Sequence, residues 1–328
     1  MLLKFALRRL AGAMPLLLLV SVVVFALAKQ MPGDGLGGGL NPGNKDPRYV
    51  AEMREKLGYD DPLPLQYFRW VKDAASGNFG QSFLYKMPVG ELIGQRLPAT
   101  LLLTVLSLLI TYGSSLTLGM IAGRNPGRPV DRFILTASYV TYAVPTFIAA
   151  IFAIYIFAVV LHWVPLGGTV TAAASRGLWS SLGDRVVHAL LPAAVLGLFN
   201  TAAYTQFLRG EIVENSGKNY VRTAVAKGIS RSSVYNRHIL RNSLLPLVTF
   251  LGMDIGGLLG GSVVIENLFS YPGIGTLFVA AVSGRDYAVM MAVTLMTGFM
   301  IVTGNIVADL LYGLLDPRIR AGYNGGRK

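Results

Sequence analysis

Six long apolar stretches dominate the chain: Leu10–Ala28, Pro98–Ala122, Phe133–Leu161, Val187–Phe207, Leu244–Val264 and Ala288–Gly313. Each approaches or exceeds the roughly 20 helical residues needed to cross a hydrocarbon core about 30 Å thick. None contains Lys or Arg, and only Asp254 and Asp309 are acidic within them. Alternation of period two is absent, which argues against an outer-membrane barrel. The pattern predicts an all-α polytopic membrane protein with six transmembrane helices. Arg8 and Arg9 precede the first run, and Ala26-Leu27-Ala28 resembles a signal-peptidase site. Its 19 residues exceed the usual signal core, so the run reads as an uncleaved first span.

The polar pieces divide the chain into a first segment with its span (1–28), an outer loop (29–97), a core of five spans (98–313) and a tail (314–328). The outer loop is too long for a simple connection. Asp46-Pro47 suits a helix start, Gly58 a stop, and Pro62 and Pro64 precede an amphipathic piece over Leu65–Ala75. These signals predict a small folded extracytoplasmic cap between helices 1 and 2.

Composition agrees with the pattern. Of 328 residues, 53% are hydrophobic and 14% charged, about half the charged fraction usual in soluble domains. The net charge of +12 would suit nucleic acid on a polar chain, but here topology accounts for it. With the N-terminus inside, the cytoplasmic pieces hold 17 Lys and Arg against 3 in the short outer loops. The positive-inside rule therefore places both termini in the cytoplasm.

Within the spans, Gly252, Gly256 and Gly260 form overlapping GxxxG patterns that let another helix approach closely; helix packing is the simpler reading, a gating hinge the other. Asn200 and Tyr204 share one face of span four, and Thr201 and Thr205 another. They serve either interhelical hydrogen bonds or a pathway lining. Asp254 sits near the middle of span five, where a lipid-facing carboxylate is costly. It is either a neutral acid in a helix contact or part of a hydrophilic pathway.

The cytoplasmic loop 208–243 carries seven basic residues. Tyr220–Lys227 can form two helical turns ended by Gly228, and Ser230 can cap a second helix leading to span five. The result is a compact knob projecting from the membrane. No catalytic or metal site is indicated: HExxH and GxSxG are absent, and His162, His188 and His238 fall in separate segments. No Walker A pattern occurs, so this chain holds no ATP of its own.

The stretch Tyr220-Val221-Arg222-Thr223-Ala224-Val225-Ala226-Lys227-Gly228, followed by Arg241-Asn242-Ser243-Leu244-Leu245-Pro246, resembles the coupling loop of ABC importer permeases of the dipeptide, oligopeptide and nickel group. Further matches are Arg8-Arg9-Leu10, Gly77-Asn78-Phe79-Gly80, Arg96-Leu97-Pro98-Ala99-Thr100, Glu266 to Gly275, Arg285-Asp286-Tyr287 and Asp309 to Gly313. Where that family commonly has Gln, this chain has Asp254. The resemblance implies a type I importer permease in a bacterial or archaeal plasma membrane. It further implies a second homologous permease, two ATPases that use ATP and Mg²⁺, and an external substrate-binding protein. Tyr220, Arg222, Thr223, Ala224, Ala226, Lys227 and Gly228 would couple to an ATPase; Asn200, Tyr204 and Asp254 would line the pathway. Peptides are the expected cargo, with nickel or metal chelates the alternative. An ion-coupled secondary transporter is the rival class, since Asp254 also suits ion coupling.

Overall fold

The computed structural model describes residues 2–30, 60–171, 178–259 and 262–315, with a few isolated positions between 48 and 58. Helices fill it, and no β-strand occurs among the described residues; a single bridge joins Gln81 to Pro88. The expected helix start at Asp46-Pro47, Gly260 and the tail from Asp316 onward lie outside the described residues.

The first apolar run becomes α1 (Leu2–Gln30). Helix α2 (Leu63–Ala75) has Pro62 at its N-cap and lies against the C-terminal half of α1. Tyr67 meets Ser21 at 2.7 Å and Phe25 edge-to-face, and Trp70 also packs on Phe25. Helix α3 (Val89–Arg124) starts nine residues before the second apolar run and carries Pro98 inside it. The residues before Pro98 belong to a continuous helix because Val89, Leu92 and Ile93 bury an apolar face against Ile274, Leu277, Val289 and Val293.

The third run departs from the single span that its length predicts. It forms α4 (Pro129–Ala143) and α5 (Thr146–Ala153, continued by a π-helical segment Ile154–Val160), bent by 94° at the junction. Pro145 explains the break: it lacks an N–H, and the residue before a proline avoids the helical region. Val144 accordingly stands at φ −85°, ψ 126°. The fourth run lies within α6 (Leu178–Ser216). The short α7 (Asn219–Ala226) and α8 follow; α8 opens as Arg231–Ser233, widens into a π-helical segment over Val234–Leu240 and closes as Arg241–Ser243. Helix α9 (Leu245–Leu259), the short α10 (Val263–Leu268), α11 (Ile274–Gly284) and α12 (Tyr287–Leu315) complete the chain.

Among the described residues, four helices are long and apolar enough to cross a bilayer, and five if the bent pair counts as one. The fifth apolar run is the one that falls short: α9 has 15 residues before the described chain is interrupted. The architecture is that of a polytopic membrane protein. Exposed Leu16, Leu19, Val105, Leu109, Phe133 and Val140 form apolar surfaces that water would not tolerate at this density.

Two helix pairs hold the bundle. In the first, α3 presents Ser107, Thr111, Ser115, Gly119 and Gly123 at four-residue spacing, all buried against α6. Gly119 and Gly123 lie under Leu208 and Ile212, and Gly197 of α6 lies under Ile110. In the second, a methyl at Gly252 would overlap Ala308 and the Gly304 carbonyl, and one at Gly256 would overlap the Ile301 backbone. Gly257, one position on, has open space.

Overpacking of this kind costs about 1–3 kcal/mol or more. Gly252→Leu is therefore expected to lower the melting temperature in detergent and the yield of monodisperse protein. Gly257→Ala is expected to leave both unchanged or slightly improved, since alanine favours helix by up to about 1 kcal/mol over glycine. Equal behaviour of the two variants would refute the close α9–α12 crossing.

Candidate functional site

The knob between α6 and α9 assembles from local signals. Helix α7 ends at Lys227, whose N–H bonds back to the Thr223 carbonyl, and Gly228 follows at φ +75°. Nothing lies within 4 Å of a Cβ built at Gly228, so the glycine serves backbone conformation, not space. Ser230 then caps α8, its hydroxyl accepting from the Ser233 N–H at 3.4 Å. The helix boundaries fall within one residue of those the sequence predicts.

One face of the knob is buried and the other is open. Val221 and Ala224 pack with Leu208, Ile212, Val234 and Ile239, while Arg222, Thr223, Ala226, Lys227 and Gly228 are exposed and Tyr220 is partly so. Ala224 thus faces inward, and its place among the candidate coupling residues is to seat the helix. The other six remain available to a partner.

Polar ties fix the knob to the spans. Tyr220 donates from its hydroxyl to Asn215 Oδ1 at 2.7 Å, and the Asn215 amide donates to Ser243 Oγ at 3.2 Å, joining α6, α7 and α8. Arg124, at the end of α3, stands 4.0 Å over the Tyr235 ring and donates to Asn236. Arg209 grips the buried Asp131 with two bonds of 3.1 and 2.9 Å, and the Gly127 N–H adds a third at 2.7 Å. The Arg209 guanidinium holds the Asp131 carboxyl below its usual range, and Asp131 in turn raises Arg209.

A second cluster lies within the bundle. Tyr112 of α3 donates to Asp254 of α9 at 2.7 Å, and Tyr204 of α6 donates to the same carboxylate at 2.8 Å. The two tyrosine rings are 5.5 Å apart; Phe250 stacks on Tyr204 at 5.4 Å, and Phe207 meets Phe250 edge-on at 4.9 Å. The structure brings Tyr204 and Asp254 together. Asn200 sits one turn from Tyr204, half-buried, with no side-chain hydrogen bond to a described residue. Thr201 faces α3 and bonds the Gly197 carbonyl at 2.7 Å. Sequence reasoning missed Tyr112; an aromatic hydroxyl on an apolar span was the available signal.

The end of the bundle opposite the knob holds two buried acids whose tasks the sequence left unassigned. Glu266 accepts from the Thr100 hydroxyl at 3.1 Å and the Thr276 N–H at 2.9 Å, while Thr100 accepts from the Ile274 N–H. Gly273 leaves no room for a Cβ between them. Asp286 accepts from Ser82 Oγ at 2.5 Å and Leu84 N–H at 3.0 Å, and lies at the start of α12. These motifs clamp the segments around Ser82 and Glu266 to α3 and the start of α12. No group of three or more potential metal ligands occurs among the described residues.

A helical membrane body, a part-buried polar cluster between its helices and a projecting helical knob define a membrane-embedded transport subunit. The profile described as "Binding-protein-dependent transport system inner membrane component" matches residues 115–321, and that of the N-terminal membrane component of such systems matches residues 2–104. The chain belongs to this family of binding-protein-dependent transport system inner membrane components. It is 36% identical over 316 residues to the oligopeptide transport system permease protein AppB of Bacillus subtilis, covering 96% of this chain and 98% of that one. It is 35% identical over 318 residues to the glutathione transport system permease protein GsiC of Shigella flexneri, covering 97% and 99%. The chain is a non-catalytic membrane subunit, and ATP hydrolysis belongs to a separate one.

Asp131→Asn removes the charge from the Arg209 pair and is expected to cost about 1.5–3 kcal/mol near neutral pH. Because the folded carboxyl sits below its unfolded value of about 3.9, this contribution is complete above that value. It is lost as pH falls through the depressed value. Thermal stability of the two proteins should therefore converge in acid; a gap independent of pH would refute the ion pair.

Proposed function

We propose that this chain is the permease subunit of an ATP-driven importer, forming half of the pathway for peptides delivered by an external binding protein. The observation that carries the reading is similarity to an oligopeptide permease along 96% of the chain. The exposed knob supports it. Its partners are a second homologous permease, two ATPases using ATP and Mg²⁺, and the binding protein. The six apolar runs act as six spans, α4 and α5 forming one of them, and both termini are cytoplasmic, as the distribution of basic residues directs. The outer region between Pro47 and Phe83 meets the binding protein or the neighbouring permease.

In this reading Tyr220, Arg222, Thr223, Ala226, Lys227 and Gly228 sit in a cleft on one ATPase, with Ala224 holding the helix from behind. Nucleotide-driven closure displaces the knob, and the Asn215 and Asp131 ties carry the displacement into α6, α8 and the α3–α4 turn. Spans that are hydrogen-bonded to a moved element move with it, and the pathway lined by Asn200, Tyr204 and Asp254 opens to alternate sides. The aromatic and aliphatic surface of Phe133, Tyr139, Val140 and Tyr142 is available to lipid or the second permease.

Co-purification of this chain with its ATPases, followed by binding-protein-dependent peptide uptake in proteoliposomes, tests the assignment. Gly228→Asp places a side chain at φ +75°, and Lys227→Glu reverses a charge on the open face. Each is expected to reduce uptake at least about tenfold, a change of roughly 1.4 kcal/mol in coupling, with membrane insertion unchanged. Normal uptake and normal stimulation of the ATPases in both variants would overturn the coupling assignment.

A further inference from the structure

We propose that Asp254, Tyr112, Tyr204 and Phe250 form a cation-recognising subsite of the pathway, favouring substrates that carry an ammonium or guanidinium group. This rests on the permease reading above and specifies the chemistry of its cargo.

The first argument is charge. Asp254 makes no ion pair among the described residues, and the six apolar runs contain no Lys or Arg. The nearest basic residue on α6 beyond Tyr204, Arg209, is committed to Asp131. An acid kept within a membrane protein without a protein counter-ion points to a mobile one.

The second argument is hydrogen-bond capacity. A carboxylate offers about four acceptor positions. Tyr112 and Tyr204 supply one proton each, Tyr204 sharing its proton between both oxygens at 2.8 Å. Acceptor positions therefore remain, and the side chain is only partly buried. The tyrosines orient the carboxyl group and leave those positions open.

The third argument is the aromatic surround. Tyr112, Tyr204 and Phe250 are neighbours with centroids 5.4–5.5 Å apart, each half-buried. Ring faces attract cations, more so where water is scarce. A carboxylate among such faces suits an organic cation with an apolar stem, such as a lysyl or arginyl side chain. Asn200, one turn away, makes no side-chain hydrogen bond to a described residue, and its amide suits the substrate's own polar groups.

The test uses the complete transporter in proteoliposomes, with uptake of Ala-Lys-Ala compared with Ala-Ala-Ala at matched binding-protein occupancy. D254N keeps the shape and the tyrosine contacts while removing the charge. The ratio of kcat/KM for the lysyl over the neutral peptide is expected to fall about tenfold, equivalent to some 1.4 kcal/mol. F250L keeps the carboxylate but removes one ring, and the same ratio should fall about threefold. A ratio within twofold of the wild type in D254N, including an equal loss for both peptides, overturns the proposal. If D254N does not assemble, an unchanged ratio in F250L overturns it. If the wild type takes up neither peptide while the binding protein still stimulates the ATPases, the peptide reading fails instead. n-Butylamine then decides the subsite: weaker inhibition of ATPase stimulation in the variants than in the wild type supports it, and equal inhibition overturns it.

Discussion

The seam between α3 and α6 is the contact on which the rest of the molecule depends. In a bilayer, apolar side chains gain little by leaving lipid for protein, so helices associate through close packing and interhelical polar contacts. Ser107, Thr111, Ser115, Gly119 and Gly123 supply both along one edge of α3. Gly197 answers from α6, where the Ile110 side chain and the Ser107 carbonyl come closest. Both functional features are laid out along this seam. Tyr112 and Tyr204 stand on its two helices and converge on Asp254, and Leu208 and Ile212 continue it into the core of the knob.

Charged groups are then used where the chain leaves its spans. Asp131, Glu266 and Asp286 are each almost fully buried, and each collects donors from a different segment. Burial of a carboxylate is costly unless donors surround it, so each site tolerates few alternative arrangements of its loops. Arg209 serves Asp131 as a planar fork, Thr100 and Thr276 serve Glu266, and Ser82 and Leu84 serve Asp286. The loops that join the helices are held by these anchors, while the knob keeps one face open, with Arg222 and Lys227 exposed on it.

Much of this was legible in the sequence where a local rule governs it. Gly228 and Ser230 mark the knob's turn and cap because a left-handed residue and an N-cap have few suitable side chains. Long apolar runs located α1, α3, α6 and α12. Pro145 was equally visible, yet counting hydrophobic residues over Phe133–Leu161 passes over a proline that bends the path by 94°. Tertiary pairings were harder to read. The partners of Asp254 lie 142 and 50 residues away, and those of Asp286 more than 200. No periodicity in one segment encodes such a distance; the GxxxG spacing of Gly252 and Gly256 came nearest, since it shows that some helix must lie close there.

The spacing of the seam also bears on how the protein is made. Thr111 donates to the Gly197 carbonyl, 86 residues later in the chain. At a synthesis rate of roughly 5–20 residues per second, α3 enters the bilayer about 4–17 s before its partner exists. Its hydroxyls are not stranded during that interval. Ser107 bonds the Leu103 carbonyl at 2.8 Å and Ser115 the Tyr112 carbonyl at 3.4 Å, contacts that a lone helix can make for itself. Serine and threonine thus let this edge wait in lipid as a self-satisfied helix, where asparagine or glutamine would recruit whichever neighbour arrived first. The choice of small hydroxyl residues serves the order of assembly as well as the finished contact.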